Sequence, residues 1–308
     1  MQGGEVRLVQ RLILMLVILA AAVALARQSA PQGTVITGGQ PVVSPDGSHI
    51  AFISTRGGAN DLFVIAADGT GEMQLTHTPD NEGALAWTPD GKQILFSVSA
   101  DDTSRLYAID PAGRNQREIA RVPGWAPTLS PDGKRLLYAA GTWTATRLTV
   151  SAPDGSNPQQ VTDGSSFAWN SHWSPDGKRI AFTGRDPNGR AAVFVMNANG
   201  SEPRQITRLT PEQGRAQWPV WSPDGRRLAI QANSNDPESH SCHIWIVDLS
   251  TGEARKLAAH DQPYLDETPA WFPDGQRIAF QSDRTGRMEV WVMNADGSGQ
   301  RQVTGIVP

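Results

Sequence analysis

One turn sequence, repeated six times, limits what this chain can fold into. Its clearest copy is Ser174-Pro175-Asp176-Gly177, and the apolar run Ile180-Ala181-Phe182 follows closely. The corresponding tetrapeptides begin at residues 44, 88, 130, 174, 222 and 272, so successive copies lie 44, 42, 44, 48 and 50 residues apart. A near-constant period of this length is typical of stacked or radial repeats, in which each unit buries its apolar face against the next. The chain is therefore predicted to be a repeat protein.

The tetrapeptide has the composition of a tight turn. Proline fixes φ at the second position, Asp is tolerated at the third, and Gly adopts the left-handed conformation at the fourth. The apolar runs on both sides predict a hairpin with a glycine bulge. Six copies of one group are typical of structure rather than of catalysis. We therefore interpret the six aspartates as turn formers: Asp46, Asp90, Asp132, Asp176, Asp224 and Asp274.

Each repeat contains four short apolar or β-branched runs separated by turn residues. In the fourth repeat the third run is Val193-Phe194-Val195-Met196 and the fourth is Gln205-Ile206-Thr207. Four strands in a period of this length describe one propeller blade, and no stretch after residue 26 has the apolar spacing of a helix. The predicted fold is all-β, a six-bladed β-propeller of four-stranded antiparallel blades over residues 39–308.

Two features bear on how the blades meet. Tryptophan holds the position just before the turn in four repeats: Trp87, Trp173, Trp221 and Trp271. We interpret these indoles as blade-to-blade packing rather than as a box that stacks on a ligand.

The last repeat contains a fourth strand of its own, Gln302-Val303-Thr304. Residues 34–37 are then predicted to add only an extra outer strand.

The N-terminus has the layout of an export signal. Arg7 and Arg11 precede an apolar run that ends in Ala24-Leu25-Ala26, which predicts cleavage after Ala26. The run over residues 12–26 is shorter than the about 20 residues of a membrane-spanning helix, although an uncleaved anchor remains an alternative. The predicted domains are a signal peptide or anchor (1–26), a linker (27–38) and the propeller (39–308).

Export and composition together narrow the partners. The protein is expected to be periplasmic or otherwise extracytoplasmic, with membrane contact only through residues 12–26 if the signal is uncleaved. The formal net charge is −4, and no cluster of Lys and Arg is long enough to follow a phosphate backbone, so nucleic acid is not expected as a partner. The single cysteine, Cys242, permits no internal disulfide.

With the repeats laid out, the chain resembles the TolB family of exported β-propellers. The shared pattern is Pro-x-Trp-Ser-Pro-Asp-Gly, an Ile-Ala-Phe strand, a Val-x-Val-Met-Asn-Ala-Asp-Gly strand and Gln-Leu-Thr, and repeats four and six carry nearly all of it. The resemblance covers residues 39–308 and implies a six-bladed propeller whose faces bind other proteins.

The same resemblance implies a partner class. TolB works in a cell-envelope complex and meets a peptidoglycan-associated lipoprotein through its propeller, so an envelope protein or lipoprotein is the expected partner. TolB proper carries an α/β domain between its signal and its propeller, whereas only residues 27–38 lie there in this chain. The contacts which that domain makes in the family are therefore not carried over.

A candidate binding site follows from the strand order. If the first strand of each blade is innermost, the loops of variable length share one face of the ring, and such loops commonly bind ligands. Six residues precede the innermost strands at the channel mouth on that face: Glu82, Trp125, Trp169, Gln217, Asp266 and Glu267. An acidic and aromatic rim is suited to a peptide, a cation or a sugar. A solvated rim whose tryptophans shield the blade ends is the alternative.

Histidines in the longest variable loop raise the question of a metal. His240, Cys242 and His243 lie in this loop, and His260 lies in the next connection on the same face. These side chains are common metal ligands. However, His-x-Cys-His is not a recognised zinc pattern, and a polar loop that contains histidines accounts for the same residues. No cofactor is predicted beyond this candidate loop or channel cation.

The sequence lacks the motifs of the common hydrolases. It contains no Gly-x-Ser-x-Gly elbow, no His-Glu-x-x-His helix and no Gly-rich phosphate loop. The chain is therefore expected not to be an enzyme but a non-catalytic protein-interaction module. The alternative is an enzyme or ligand receptor that acts in the channel on polysaccharide or peptide fragments. For a lyase, His172 lies closest to where a base is needed.

Overall fold

The computed structural model describes residues 38–100, 103–142, 145–163, 167–208, 214–233, 241–257 and 264–305. The predicted signal (1–26) and the predicted outer strand (34–37) lie outside these residues. Within the described ranges the secondary structure is entirely β, with 24 strands, and no helix there is long and apolar enough to cross a membrane.

The strands form six sheets, each of four antiparallel strands that follow one another in the sequence. Blade 1 contains β1 (Gly39–Val43), β2 (His49–Ser54), β3 (Asp61–Ala66) and β4 (Met73–Gln74). Blade 2 contains β5 (Glu82–Trp87), β6 (Ile94–Ala100), β7 (Thr103–Ile109) and β8 (Arg117–Val122). Blade 3 contains β9 (Trp125–Leu129), β10 (Leu136–Thr142), β11 (Ala145–Ser151) and β12 (Gln159–Gln160).

Blade 4 contains β13 (Trp169–Trp173), β14 (Arg179–Arg185), β15 (Ala191–Asn197) and β16 (Arg204–Gln205). Blade 5 contains β17 (Arg215–Trp221), β18 (Arg227–Asn233), β19 (Cys242–Asp248) and β20 (Ala254–Lys256). Blade 6 contains β21 (Asp266–Trp271), β22 (Arg277–Ser282), β23 (Glu289–Asn294) and β24 (Arg301–Gln302). The prediction of a six-bladed propeller of four-stranded antiparallel blades is confirmed.

The Pro-Asp-Gly turns connect the first and second strands and are held by their own side chains. In the β13–β14 turn, the Ser174 hydroxyl and the Lys178 N–H donate to the Asp176 carboxylate at 2.6 and 3.1 Å. The Gly177 N–H donates to the Ser174 carbonyl at 2.8 Å, and Gly177 has φ of 66°, where a Cβ is strained. The hydrogen bond from Ser174 lowers the pKa of Asp176. These contacts show how the repeated tetrapeptide closes each hairpin.

The Gln-x-Thr segment closes the outer side of a blade. In blade 4 the Thr207 hydroxyl accepts the Val193 N–H at 2.9 Å, and the Gln205 side chain donates to the Thr207 carbonyl at 2.7 Å. The corresponding threonines of blades 1, 3 and 6 accept in the same way: Thr76, Thr162 and Thr304. The motif thus satisfies backbone groups where the short fourth strand ends.

An arginine and a tryptophan fasten one blade to the next. Arg179 of blade 4 lies over the Trp221 ring of blade 5 at 4.5 Å from its centroid and donates to the Gly225 carbonyl at 3.0 Å. The Trp221 indole N–H donates back to the His172 carbonyl at 3.2 Å. Arg135 and Trp173 repeat the stacking between blades 3 and 4, with the guanidinium 4.4 Å from the ring centroid. These indoles pack between blades, as the sequence predicted.

The interface that closes the ring is built differently. Blade 1 has Val43 where four blades have tryptophan, and blade 6 has Phe272 where other turns have Ser or Thr. Phe272 is fully buried in an apolar cluster with Phe52, Phe63 and Val290, which joins blade 6 to blade 1. Without a hydroxyl in this turn, Asp274 pairs with Arg277 at 2.8 Å instead. Three phenylalanines, one of them from the turn of blade 6, therefore fill the closing interface.

Restoring the repeat consensus at this position should weaken the ring. Phe272→Ser adds a hydroxyl that can bond Asp274, worth about 1 kcal/mol, but removes a buried ring whose loss typically costs about 3–5 kcal/mol. We expect the free energy of unfolding, measured by urea titration, to fall by roughly 2–4 kcal/mol. Ser222→Ala is the control, since it leaves the apolar core unchanged. It removes only the hydrogen bonds of the hydroxyl within its own turn, to Asp224 and to the backbone of Arg227, and should cost about 1–2 kcal/mol. A Phe272→Ser variant as stable as the wild type would show that Phe272 does not hold the closure.

Candidate functional site

A central cavity of about 520 Å³ is lined by the innermost strands of all six blades. Its walls are partly apolar, with Val42, Leu85 and Val220 among the lining residues. No Lys or Arg is found among the described lining residues, and the ionisable ones are Glu82 and His172. The first strand of each blade is thus innermost, and the cavity is the natural place for a ligand in this fold.

A bulge in every innermost strand shapes this cavity. The strand pairing is irregular at the same repeat position in each blade, and the residue there has a positive φ between 44° and 56° although it is not glycine. The six residues are Gln40, Ala84, Ala126, Asn170, Trp218 and Thr268. All six line the cavity. Bulges re-aim side chains and positive φ is uncommon without glycine, so this ring is a shaped feature of the site.

Hydrogen bonds between blades hold three of these bulges. The Trp218 N–H donates to the Thr183 hydroxyl at 3.2 Å, and the Thr268 N–H donates to the Gln231 side-chain oxygen at 3.0 Å. Across the closing interface, the Gln40 N–H donates to Gln281 at 2.9 Å. Each acceptor lies on the second strand of the preceding blade, so the cavity lining depends on how the blades are arranged.

The structure separates the predicted site residues, the six of the rim and His172, into two groups. Glu82 and His172 line the cavity, whereas the other five are not among its lining residues: Trp125, Trp169, Gln217, Asp266 and Glu267. The Glu267 carboxylate accepts from Gln281 at 2.9 Å, and the Gln217 side chain donates to Asn233 at 3.1 Å. A binding role for these five stays a prediction.

Two further rim side chains, those of Asp266 and Trp169, are held by other contacts. Asp266 forms a salt bridge with Arg284 at 2.7 Å. The Trp169 ring meets Phe167 edge-on, with 4.8 Å between the centroids. Burial raises the pKa of Glu267, and its hydrogen bond from Gln281 opposes that shift. These residues of the rim are therefore engaged within the protein.

Glu82 begins β5 and is almost fully buried, with 3% of its surface exposed. The Thr78 hydroxyl donates to its Oε1 at 2.8 Å, while its Oε2 has no hydrogen-bond partner among the described residues. Burial raises the pKa of Glu82 to about 7, and the nearby Asp61 carboxylate adds to the shift. Glu82 is therefore a carboxyl group that changes charge near neutral pH.

His172 supplies an uncharged group to the cavity wall. Burial lowers the pKa of its imidazole to about 4, although its hydrogen bond to the Pro219 carbonyl opposes the shift. Its Nδ1 has no hydrogen-bond partner among the residues described. The imidazole is therefore neutral at neutral pH and adds no positive charge to the cavity wall.

The predicted metal ligands are only partly described. His240 and His260 lie outside the described residues. Cys242 is fully buried at the start of β19, its thiol donates to Asn233 at 3.4 Å, and burial raises the pKa of the thiol. His243, the next residue, is half-buried. The described part of the chain contains no group of three or more His, Cys, Asp or Glu suited to a metal, and the loop metal stays a prediction.

Sequence reasoning missed most of the cavity lining. Trp218 and Asn170 project from bulges, and Thr268 and Gln40 occupy the same position in their blades. The six residues at this position range from alanine to amides, a threonine and a tryptophan, so the ring leaves no visible pattern in the sequence. The sequence pattern indicated only the rim residues near the bulges, because these are polar or aromatic in most repeats.

Comparison with known proteins identifies the repeat type. The TolB beta propeller domain family matches residues 140–306, more than half of the chain, and the tricorn protease N-terminal beta propeller domain matches residues 34–149. Dipeptidyl-peptidase 5 of Porphyromonas gingivalis is 24% identical over 272 residues, which cover 68% of this chain and 40% of the peptidase. The chain thus spans well under half the length of that relative.

Solved structures share the fold. TolB from Acinetobacter baumannii superimposes with a TM-score of 0.67 at 20% identity, over 86% of this chain and 63% of that one. A puromycin-hydrolysing peptidase of Mycobacterium tuberculosis superimposes with a TM-score of 0.61 at 14% identity, over 88% of this chain and 54% of that one. At such identities the likeness establishes the fold alone.

These matches correct one expectation. The chain was expected not to be an enzyme because it contains no hydrolase motif, and this exclusion is wrong, since its relatives in sequence and fold include peptidases. A missing motif excludes only the reaction to which that motif belongs. The absence of a motif does not exclude other reactions to which a propeller domain contributes.

The raised pKa of Glu82 predicts a pH dependence of stability. The pKa of Glu82 is higher in the folded protein than its unfolded value of 4.5, so protonation of Glu82 stabilises the fold. This stabilisation is complete below pH 4.5 and is lost as the pH rises to about 7. In metal-free buffer, the unfolding free energy of the wild type should therefore fall by roughly 3 kcal/mol relative to Glu82→Gln across this window. Urea titrations at a series of pH values measure the difference. Glu253→Gln, at an exposed carboxylate, is the control, and parallel profiles for wild type and Glu82→Gln would contradict the assignment.

Proposed function

Because the chain belongs to the TolB β-propeller domain family, we propose that it is an exported propeller that binds an extended segment of another protein in its central cavity. In this role it is a protein-interaction module of the cell envelope, and its partner is an envelope protein or lipoprotein. The observation that carries the proposal is the cavity of about 520 Å³, to which every blade contributes its innermost strand.

The size of the cavity suits a peptide segment. Ligand sites commonly enclose about 300–1,000 Å³ and combine apolar walls with a few polar groups. Here Val42, Leu85 and Val220 give apolar wall, and Trp218 gives an aromatic surface of the kind that anchors partners at interfaces. This combination favours a segment with at least one apolar side chain.

The polar lining suits a peptide backbone. Asn170 and Gln40 carry side-chain amides, each able to donate and accept, and Thr268 carries a hydroxyl. An extended peptide presents N–H and C=O groups in alternation, which such side chains can pair. The described lining contains no Lys or Arg, so an acidic segment is a poorer match than a neutral or basic one.

Export is part of the proposal and rests on the sequence. Arg7 and Arg11, the apolar run over residues 12–26 and the small residues Ala24 and Ala26 together form a secretory signal. Mass spectrometry of the protein from fractionated cells tests this part, and a cytoplasmic protein that retains residue 1 would contradict it.

A second candidate follows from the peptidase relative. Dipeptidyl-peptidase 5 matches 68% of this chain, which favours a propeller that takes part in the cleavage of peptide fragments. Peptides would enter the same cavity in that case. Release of a fluorophore from dipeptidyl substrates by the purified full chain would support this candidate, whereas peptide binding without cleavage supports the interaction role.

Filling the cavity should abolish binding in either case. Ala126 lines the cavity and already has a positive φ of 50°, so Ala126→Trp adds bulk there without a new backbone demand. Ala112, exposed in an outer turn of blade 2, gives the matched control Ala112→Trp. We expect capture of peptides from an immobilised library of extended peptides to fall at least about tenfold for Ala126→Trp and not for Ala112→Trp.

Both variants must keep the wild-type circular dichroism spectrum and unfolding midpoint for the comparison to count. If the wild type captures peptides and Ala126→Trp captures them equally well, the binding site lies elsewhere on the ring. If the wild type captures no peptide and no envelope protein, the proposed function is wrong.

A further inference from the structure

Two buried carboxyl groups lie together where blade 1 meets blade 2. Asp61 begins β3 and Glu82 begins β5, and their exposed fractions are 2% and 3%. The Glu82 N–H donates to the carbonyl of Asn60, the neighbour of Asp61, at 2.9 Å. Thr76, whose hydroxyl accepts the Leu62 N–H at 2.8 Å, is close enough to lower the pKa of Glu82. The two carboxyl groups are therefore held within the same small region.

Each carboxyl group has one oxygen that accepts a hydrogen bond and one oxygen without a hydrogen-bond partner among the described residues. Asp61 Oδ2 accepts from the Gln74 side chain at 2.9 Å, and Glu82 Oε1 accepts from the Thr78 hydroxyl at 2.8 Å. Asp61 Oδ1 and Glu82 Oε2 are buried and have no hydrogen-bond partner among the described residues. Burying a carboxylate oxygen without a partner is costly, so this pair requires a positive species or a proton.

The equivalent position in blade 6 also holds a buried acid, and that acid is paired with an arginine. Glu82 lies opposite Val98 on β6, and Asp266 lies opposite Ser282 on β22, which places both acids at the same point of their blades. Asp266 is neutralised by Arg284 at 2.7 Å. In blade 2 the residue at the position of Arg284, two after the one opposite the acid, is Ala100. The buried acid of blade 2 thus lacks the arginine that its counterpart in blade 6 has.

We propose that a divalent cation, Ca²⁺ by its donor preference, binds between blades 1 and 2 with Asp61 Oδ1 and Glu82 Oε2 as its carboxylate ligands. The surrounding donors are all oxygens, from Asp61, Glu82 and the hydroxyls of Thr76 and Thr78. Ca²⁺ takes oxygen ligands of this kind and completes its shell with carbonyls and water. No histidine or cysteine is among these groups, which separates the site from a zinc site and from the loop metal considered above.

A proton is the competitor of this cation. Burial and the Asp61 carboxylate raise the pKa of Glu82 to about 7, so the pair holds a proton near neutral pH when no cation is bound. Asp61, on β3, is the titratable group that faces Glu82 there. A cation that binds both oxygens displaces this proton, so binding strengthens above pH 7 and weakens below it.

The site is tested with Ca²⁺ alone on the purified full chain after treatment with a chelator. Isothermal titration gives the affinity and stoichiometry, and thermal unfolding gives the shift in Tm. Glu82→Gln and Asp61→Asn keep the shape and the bonded oxygens but remove the charges. Glu267→Gln is the matched control, because Glu267 is a carboxylate at the rim of blade 6 whose oxygen is already bonded to Gln281.

We expect one Ca²⁺ per chain and a rise in Tm for the wild type and for Glu267→Gln. Glu82→Gln and Asp61→Asn should each weaken binding at least about tenfold, as losses around a metal site typically do, and should lose the Tm shift. Titrations of the wild type at about pH 7 in two buffers of different ionisation enthalpy should show release of a proton. The heat of Ca²⁺ binding and the Tm shift of the wild type need no variant, so they decide the matter if a variant fails to fold.

Three results would overturn the proposal. One is the absence of heat and of a Tm shift with Ca²⁺, Mg²⁺ and Mn²⁺, which would leave the pair sharing a proton. Another is equal binding by the wild type and Glu82→Gln, which would place the cation elsewhere. The third is a Tm shift in Asp61→Asn as large as that of the wild type, which would remove Asp61 from the site. The proposed peptide-binding role does not depend on this site, so each of the two can fail without the other.

Discussion

The fold depends on apolar strands that only a neighbouring blade can cover. Ile180 in β14 and Leu228 in β18 are fully buried, yet the described chain contains no helix to shelter them. Six apolar clusters, one at each interface between blades, provide that shelter instead. A blade with a free face would expose such a surface to water, at about 25 cal/mol per Å². Ring closure is therefore a condition for stability, and Phe272 contributes to it at the interface of blades 6 and 1, where the turn sequence departs from the repeat.

Local chemistry explains why so much of the fold could be predicted. A turn such as Ser174-Pro175-Asp176-Gly177 encodes its own conformation, because its hydrogen bonds join residues no more than a few positions apart. The period between such turns then sets the number of blades. Asp266 and Glu82 show the limit of this reasoning, since both were read as rim acids. One is neutralised by Arg284 and the other is not, and only the contacts between distant segments distinguish them.

The candidate site consists largely of departures from the repeat. The bulge places one residue of each blade against the cavity, and a perfect repeat would give six identical side chains there. This chain has Trp218, Asn170 and Thr268 at three of those positions. Their backbone strain is shared by all blades and belongs to the fold, whereas their side chains differ and can provide specificity. The sequence could not reveal them, because a bulge is set by pairing between strands and not by residue type.

Glu82 connects the two proposals physically. It begins β5, the strand that carries Ala84 into the cavity wall, and its carboxyl group lies beside Asp61 at the interface of blades 1 and 2. A cation at that interface would fix the start of β5 and remove the proton that Glu82 otherwise holds near neutral pH. Ordering of a cavity strand lowers the entropy that a ligand must lose there, so occupancy of the cation site would strengthen binding in the cavity. By linkage, a peptide in the cavity would then strengthen binding of the cation by the same factor.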